Sequence, residues 1–372
     1  MKASLVLGRL FGIEIGIHIS WLFIFVFLTW SLAVGYFPQD GVLAGQTALV
    51  YWILGAISSL SLFLAVLAHE LGHSIVAQRN GIPVKNITLF IFGGASNISR
   101  EAASPGAEFR MAVAGPLVSF GLSAVFFTAF FSLGQATNAL SAVLIYLAQV
   151  NLILGVFNML PGFPLDGGRV FRAAVWKLTR DETKATRIAA GAGQAIAYMF
   201  IFGGIALAFI VGISGLWLAL IGWFLASAAS ASYQKSVVSE SLSGTSVGTV
   251  MNAAIITAGP DLSVEQAMAL MLRHSQRALP VIGDGYFLGM LTLSDLKHLD
   301  RKRWDSEKIS SIITPAASLR TLKRGDDLTL VMEIMHETGY NQLPVLDNGA
   351  FLGLVSRADL LNYLNIKLEL KP

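Results

Sequence analysis

Six apolar stretches of about 20 residues or more follow one another in the first 232 residues, and nothing else in the sequence restricts the fold as much. A stretch of that length is what it takes to cross roughly 30 Å of hydrocarbon. They run from Ile19 to Phe37, Ala48 to Gln78, Met111 to Leu133, Ala139 to Leu160, Ile188 to Val211 and Gly215 to Ser232. Charged residues make up only 13% of the chain, about half the share usual in soluble domains. The expected first part is a polytopic membrane domain.

The apolar character does not persist. Met1 to Gln234 carries 12 Lys and Arg against 8 Asp and Glu, whereas Lys235 to Pro372 carries 14 against 15. The second part alternates short apolar runs with charged helical patterns, as water-soluble domains do. The expected organisation is a membrane domain over 1–234, a polar linker over 235–246 and a soluble domain over 247–372. A net charge of +3, carried mostly by loops flanking the spans, calls for no nucleic acid. With no cysteine, disulfides and thiolate metal sites are excluded. Lys2 and Arg9 precede the first span, but no small-residue cleavage site follows it, so no cleavable signal is expected.

The loops between spans divide by charge. Pro38 to Gln46 holds Asp40 and no Lys or Arg, and the loops at Gly134 to Asn138 and Gly212 to Ser214 are uncharged. Arg79, Lys85, Arg100 and Arg110 lie between spans two and three; Arg169, Arg172, Lys177, Arg180, Lys184 and Arg187 lie between spans four and five. The positive-inside rule makes that side cytoplasmic, together with both termini and the soluble domain.

An ionisable group at membrane depth is costly and is functional by default. Two acids stand out: Glu70, inside span two, and Asp166, at the cytoplasmic end of span four. Glu70 belongs to His69-Glu70-Leu71-Gly72-His73. Residues four apart share a helix face, so His69 and His73 can offer two imidazoles to one metal ion, with Glu70 beside it as a base. The bland alternative is a structural His pair buried in the bundle. A catalytic zinc takes three protein ligands and keeps a fourth position open. Asn158-Met-Leu-Pro161-Gly-Phe-Pro164-Leu-Asp166-Gly-Gly-Arg169 breaks a helix at membrane depth, and Asp166 could complete the set or simply cap the next helix.

These two motifs, His-Glu-x-x-His in an early span and Asn-x-x-Pro-x-x-x-x-Asp-Gly in a later one, resemble the site-2 protease family of intramembrane zinc metalloproteases, peptidase family M50. The resemblance implies Zn2+ held by His69, His73 and Asp166, with Glu70 as catalytic base and Asn158 near the metal. The apolar segment from Val84 to Asn97 is similar to that family's re-entrant β element, whose bare edge could pair with an unwound substrate. Arg9 to Trp21 is similar to its amino-terminal strand; His18 within it reads as a hydrogen-bonded interfacial residue.

The soluble part repeats itself. Leu279-Pro-Val-Ile with Phe287-Leu-Gly289 to Asp295 returns 64 positions later as Leu343-Pro-Val-Leu with Phe351-Leu-Gly353 to Asp359. This resembles a tandem pair of CBS domains, about 247–300 and 308–367. The resemblance implies a regulatory module in which Thr292 with Asp295, and Ser356 with Asp359, contact ATP or AMP, and through which two chains can form a homodimer. The same pairs are also helix caps. Ser263 to Pro280 spans 17 positions and Thr329 to Pro344 spans 15, which predicts a shortened helix or turn in the second repeat and puts its cleft in doubt.

The expected fold is therefore a polytopic α-helical membrane domain of about six spans with short β elements, plus a cytoplasmic α+β tandem CBS domain. The expected function is a zinc endopeptidase acting on transmembrane protein substrates and regulated through the CBS pair. No PDZ-like region is present, so regulation is expected from the cytoplasmic side. A CBS-regulated ion transporter would spread its polar groups along several spans rather than gather them at one point. A non-cleaving pseudoprotease would share every feature but turnover.

Overall fold

Apolar stretches too long for a soluble core become helices, and the computed structural model places them at nearly the expected positions. It describes residues 3–39, 43, 45–91, 93–98, 102–133, 138–212, 214–297 and 299–370. Lys2, Asp40, Arg100, residues 134–137 and Ile213, which entered the charge pattern above, lie outside the described residues.

The chain opens with a hairpin, β1 (Leu5–Leu10) and β2 (Ile13–Ile17), where sequence similarity predicts one strand. Phe11 and Gly12 turn it, both at positive φ (52° and 79°), the backbone that two-residue hairpins need. α1 (Ser20–Ser31) continues through a π-helical stretch, Leu32–Tyr36, as a shorter apolar helix. α2 (Ala48–Arg79) is followed by a second hairpin, β3 (Val84–Phe90) and β4 (Gly93–Ile98). Then come α3 (Pro105–Ser132), α4 (Ala139–Asn158), the amphipathic α5 (Asp166–Thr179), α6 (Glu182–Val211) and α7 (Ser214–Leu242). Among the described residues, α2, α3, α4, α6 and α7 are long and apolar enough to cross a membrane.

The two hairpins form one sheet in the order β1-β2-β3-β4, with β2 and β3 parallel and the other neighbours antiparallel. Ile13 and Ile15 of β2 and Val84 and Ile87 of β3 bury one face of it against Ala77 of α2 and Met111 of α3. This core seats the sheet on the end of α2 that follows His73. Burial is why Val84–Phe90 is too apolar for a free loop.

The chain divides into two units, Met1–Gln234 and Lys235–Pro372. α7 runs on to Leu242, so the start of the polar segment is helical. The second unit then has α8 (Val247–Val250), α9 (Val264–Arg273), β5 (Ala278–Gly283), β6 (Tyr286–Thr292), α10 (Leu293–Leu296) and β7 (Thr314–Pro315). The second repeat supplies α11 (Leu328–Thr338), β8 (Gln342–Asp347), β9 (Ala350–Ser356) and α12 (Arg357–Glu369). β5 with β6 and β8 with β9 pair in the same register, down to a bulge at Val281/Ile282 and at Val345/Leu346.

The predicted shortening of the second repeat is not found. α11 has 11 residues and α9 has 10. The cap of α11 is Asp327 rather than Thr329, and Asp327 stands 17 positions before Pro344, as Ser263 does before Pro280. Ser and Asp are interchangeable as N-caps, so a Ser-to-Thr match pairs the wrong residues.

Candidate metal centre

α2 carries the His-Glu-x-x-His run two-thirds of the way along a continuous helix, so His69 and His73 project from one face. Both are 5% exposed. His73 Nδ1 lies 2.7 Å from the Met111 carbonyl oxygen. A carbonyl only accepts, so Nδ1 carries the proton, and in the neutral ring Nε2 then presents a lone pair. His69 Nδ1 lies 2.9 Å from Ser119 Oγ, which likewise turns its Nε2 to the interior.

The two Nε2 atoms face each other at 3.2 Å. Asp166, the first residue of α5, brings Oδ2 to 3.1 Å from His69 Nε2 and 3.2 Å from His73 Nε2. Two imidazole nitrogens and a carboxylate oxygen converge here in largely buried surroundings, where they need a shared positive charge between them, and a metal cation would supply it to all three at once. The separations match the edges of a tetrahedron with bonds of about 2 Å, the length and the N/O donor set that zinc takes; among the described residues no fourth His, Asp or Glu joins the three. The residues therefore fit zinc. Asp166 is not the N-cap residue of α5; Leu165 is.

Two glycines make the convergence possible. A Cβ on Gly115 of α3 would fall against both imidazole Nε2 atoms. A Cβ on Gly94 of β4 would fall against Glu70 Cγ. Glu70 is half-buried, and Ser96 Oγ of β4 donates to its Oε2 at 2.5 Å. The sheet thus lies directly on the Glu70 side chain. Asn158 ends α4 and gives its amide hydrogen to the Leu154 carbonyl at 3.0 Å; among the described residues no hydrogen bond joins it to the other four. His18 Nδ1 is 2.8 Å from Ser20 Oγ, a local contact at the entry to α1.

Over almost its whole length the chain resembles Rip3 of Mycobacterium tuberculosis, which carries the name of a zinc metalloprotease: they are 37% identical over 98% of this chain and 94% of Rip3. The peptidase family M50 model matches residues 57–202, which contain the whole candidate centre, and the CBS domain model matches 247–302 and 309–366. The chain belongs to peptidase family M50. The sll0528 protein of Synechocystis, also named as a zinc metalloprotease, is 33% identical over 98% of this chain and 96% of its own. Among solved structures, the site-2 protease from Methanocaldococcus jannaschii is 30% identical and covers 62% of this chain and 94% of that one, at a TM-score of 0.41.

As an M50 metalloprotease, the chain has parts of its centre that motif reading does not reach. Ser119, the Met111 carbonyl, Gly115 and Ser96 all come from outside the two motifs. One sequence signal existed: Gly115, Ser119 and Ser123 place a small residue at every fourth position of α3, the mark of close helix packing in membranes.

In the CBS unit, both expected pairs are helix caps. Thr292 donates through N and Oγ1 to Asp295 Oδ2, each at 2.7 Å, and Ser356 does so to Asp359 Oδ2 at 2.8 and 2.6 Å. Ser356 and Asp359 also line a cavity of about 420 Å³ with Asn252, Ile255, His274 and Arg277. The cleft placed in doubt by the mismatched cap is therefore open. Its size falls within the range of small-ligand sites.

Proposed function

We propose that this metalloprotease hydrolyses peptide bonds of membrane-spanning protein substrates at a zinc ion held by His69, His73 and Asp166. The observation that carries the reading is the meeting of His69 Nε2, His73 Nε2 and Asp166 Oδ2 at 3.1–3.2 Å, with Glu70 next to His69. Zinc bound there supplies a water of lowered pKa and polarises the scissile carbonyl. Glu70 takes the proton from the attacking water and returns it to the leaving amine, as a general acid–base. Ser96 holds the Glu70 carboxylate in place. Asn158 offers an amide to the developing oxyanion once it leaves the Leu154 carbonyl.

A helical substrate hides its peptide bonds in its own hydrogen bonds and has to be unwound. β4 is an edge strand, and Gly94 and Ser96 within it touch Glu70. An extended substrate pairing along β4 would be delivered beside the base. We place the basic loops, both termini and the CBS unit on the cytoplasmic side. We further propose that the CBS pair senses an adenine nucleotide and associates as a homodimer. The cavity at Ser356 is the favoured nucleotide site, with Asp359 for ribose hydroxyls and Arg277 for phosphate.

The test uses the purified full-length protein and a membrane-spanning reporter peptide. Wild type cleaves, a zinc chelator stops it, and Glu70→Gln keeps its zinc but loses turnover by about 10²-fold or more. Normal cleavage by Glu70→Gln overturns the reading.

A further inference from the structure

Glu108 and Arg172 form a buried ion pair that takes no part in the chemistry above. Glu108 lies in the first turn of α3 with no exposed surface, and Arg172 lies in α5 at 6% exposure. Arg172 Nε donates to Glu108 Oε1 at 2.7 Å, and its Nη2 approaches the same oxygen at 2.5 Å. Arg169 Nε stands 3.8 Å from that oxygen. Arg172 also reaches α6, donating to Thr186 Oγ1 at 3.3 Å and standing 3.8 Å from Glu182 Oε1. One guanidinium thus ties α5 to α3 and α6. Arg172 counts as a loop charge in the span pattern, but it is not in solvent.

The position of the pair along both helices is informative. On α3, Glu108 stands one turn before Met111, whose carbonyl holds His73, and two turns before Gly115, which lies against both imidazoles. On α5, Arg172 follows Asp166 by six residues, about 9 Å along the axis. Between them, Gly167 and Gly168 press against the backbone of Met159, Leu160, Gly162 and Phe163 and have no side chain to grip it. An apolar pair could fill the same volume, often at no cost in stability, but it would carry none of the directional hydrogen bonds that Arg172 makes to Glu108 and Thr186. We infer that the Glu108–Arg172 pair is a positioning device: it sets the rotation and slide of α5 on α3 and so holds the Asp166 carboxylate at His69 and His73. This rests on the zinc reading of that centre.

The test measures zinc affinity by competition with a chromophoric chelator, and thermal stability, on full-length wild type, Glu108→Gln and the double variant Glu108→Met/Arg172→Met. The double variant leaves no unpaired buried charge and stands in if the single one fails to fold. Folded variants are expected to bind zinc about 10–100-fold more weakly, the usual effect of losing an outer partner of a ligand. Their kcat is expected to fall while KM holds. A folded variant with zinc affinity within about 2-fold of wild type overturns the inference, at the precision such outer-partner effects allow. Failure of both variants to fold assigns the pair to folding alone and also overturns it. Wild type that binds no zinc sinks the metal reading itself, a result distinct from the other two.

Discussion

His69 and His73 present the same ring atom to the interior because each has its other nitrogen occupied, by Ser119 Oγ and by the Met111 carbonyl. The Met111 partner is backbone and cannot be removed by substitution, but Ser119 can. Ser119→Ala frees the His69 ring to rotate and to exchange tautomers, and it is expected to weaken zinc binding about 10–100-fold. Titration of the purified variant with zinc against a competing chelator checks this. Gly115→Ala is the harsher change, since its methyl would occupy the space where the Nε2 atoms meet. It is expected to leave the protein folded in the membrane with zinc content near zero, measured as metal per chain. These residues also mark how far the sequence could be read. His69, His73 and Glu70 were legible because a helix dictates where residues one and four apart point. Asp166 was legible only as a ligand or a helix cap, and it took the His motif and the resemblance to a known family to choose between them. Ser119 and Glu108 were not, since what makes them matter is contact with residues 50 and 64 positions away. Nor does Glu108 sit inside the apolar core of a span, where it would have stood out as Glu70 does.

Among the elements, α11 shows how a single cap fixes both an end and a pH response. Asp327 Oδ1 accepts from Thr329 N and Oγ1 at 2.9 and 2.6 Å, while Oδ2 accepts from Gly244 N at 2.7 Å. Burial alone would raise its pKa, but these bonds to the ionised form outweigh it and hold the carboxyl below its usual value. A depressed carboxyl stabilises the fold above its unfolded pKa of about 4 and loses that stabilisation as pH falls through the lower folded value. Protection of the α11 amides from hydrogen exchange, taken relative to the intrinsic rate at each pH, is therefore expected to fall below about pH 4 in wild type. Asp327→Asn, which can keep the cap on Thr329 through its carbonyl oxygen but loses the acceptor for Gly244 N, should remove much of that acid response. Asp327→Ala should cost about 1 kcal/mol at neutral pH. Equal acid sensitivity in wild type and the Asn variant would remove Asp327 as the cause. The same cap explains the error in reading the second repeat, because the chemistry of the position is shared by Ser and Asp while a letter-by-letter match is not. The sheet gives a parallel case. Its apolar β3 was visible as a strand, but the pairing of β2 with β3 in parallel joins segments some 70 residues apart, and no local pattern encodes it.

For the whole molecule, the question is what the CBS unit reports to the membrane unit. The two units are joined in the chain by α7, which is helical across the boundary at Gln234 and ends at Leu242 inside the core of the second repeat, beside Val247, Leu328 and Leu364. The cavity at Ser356 and Asp359 offers one carboxylate, two serine hydroxyls, three amides, one imidazole and one guanidinium to a ligand. That is a set for hydroxyls and phosphate together, so a nucleotide is the probe to use. AMP and ATP are expected to raise the apparent stability of the wild-type CBS unit, by about 2.7 kcal/mol at a hundred times Kd. Asp359→Ala should abolish most of that gain. It should also lower intrinsic stability through the lost cap, so the ligand-dependent difference, not the absolute melting point, is the measurement. If nucleotide also changes cleavage, the coupling has to be reciprocal in binding: a substrate bound to the Glu70→Gln protein must shift nucleotide affinity by the factor that nucleotide shifts substrate affinity. Equal nucleotide affinity with and without bound substrate would show that the module binds nucleotide without regulating substrate capture. A change in turnover would then have to arise at a step after binding.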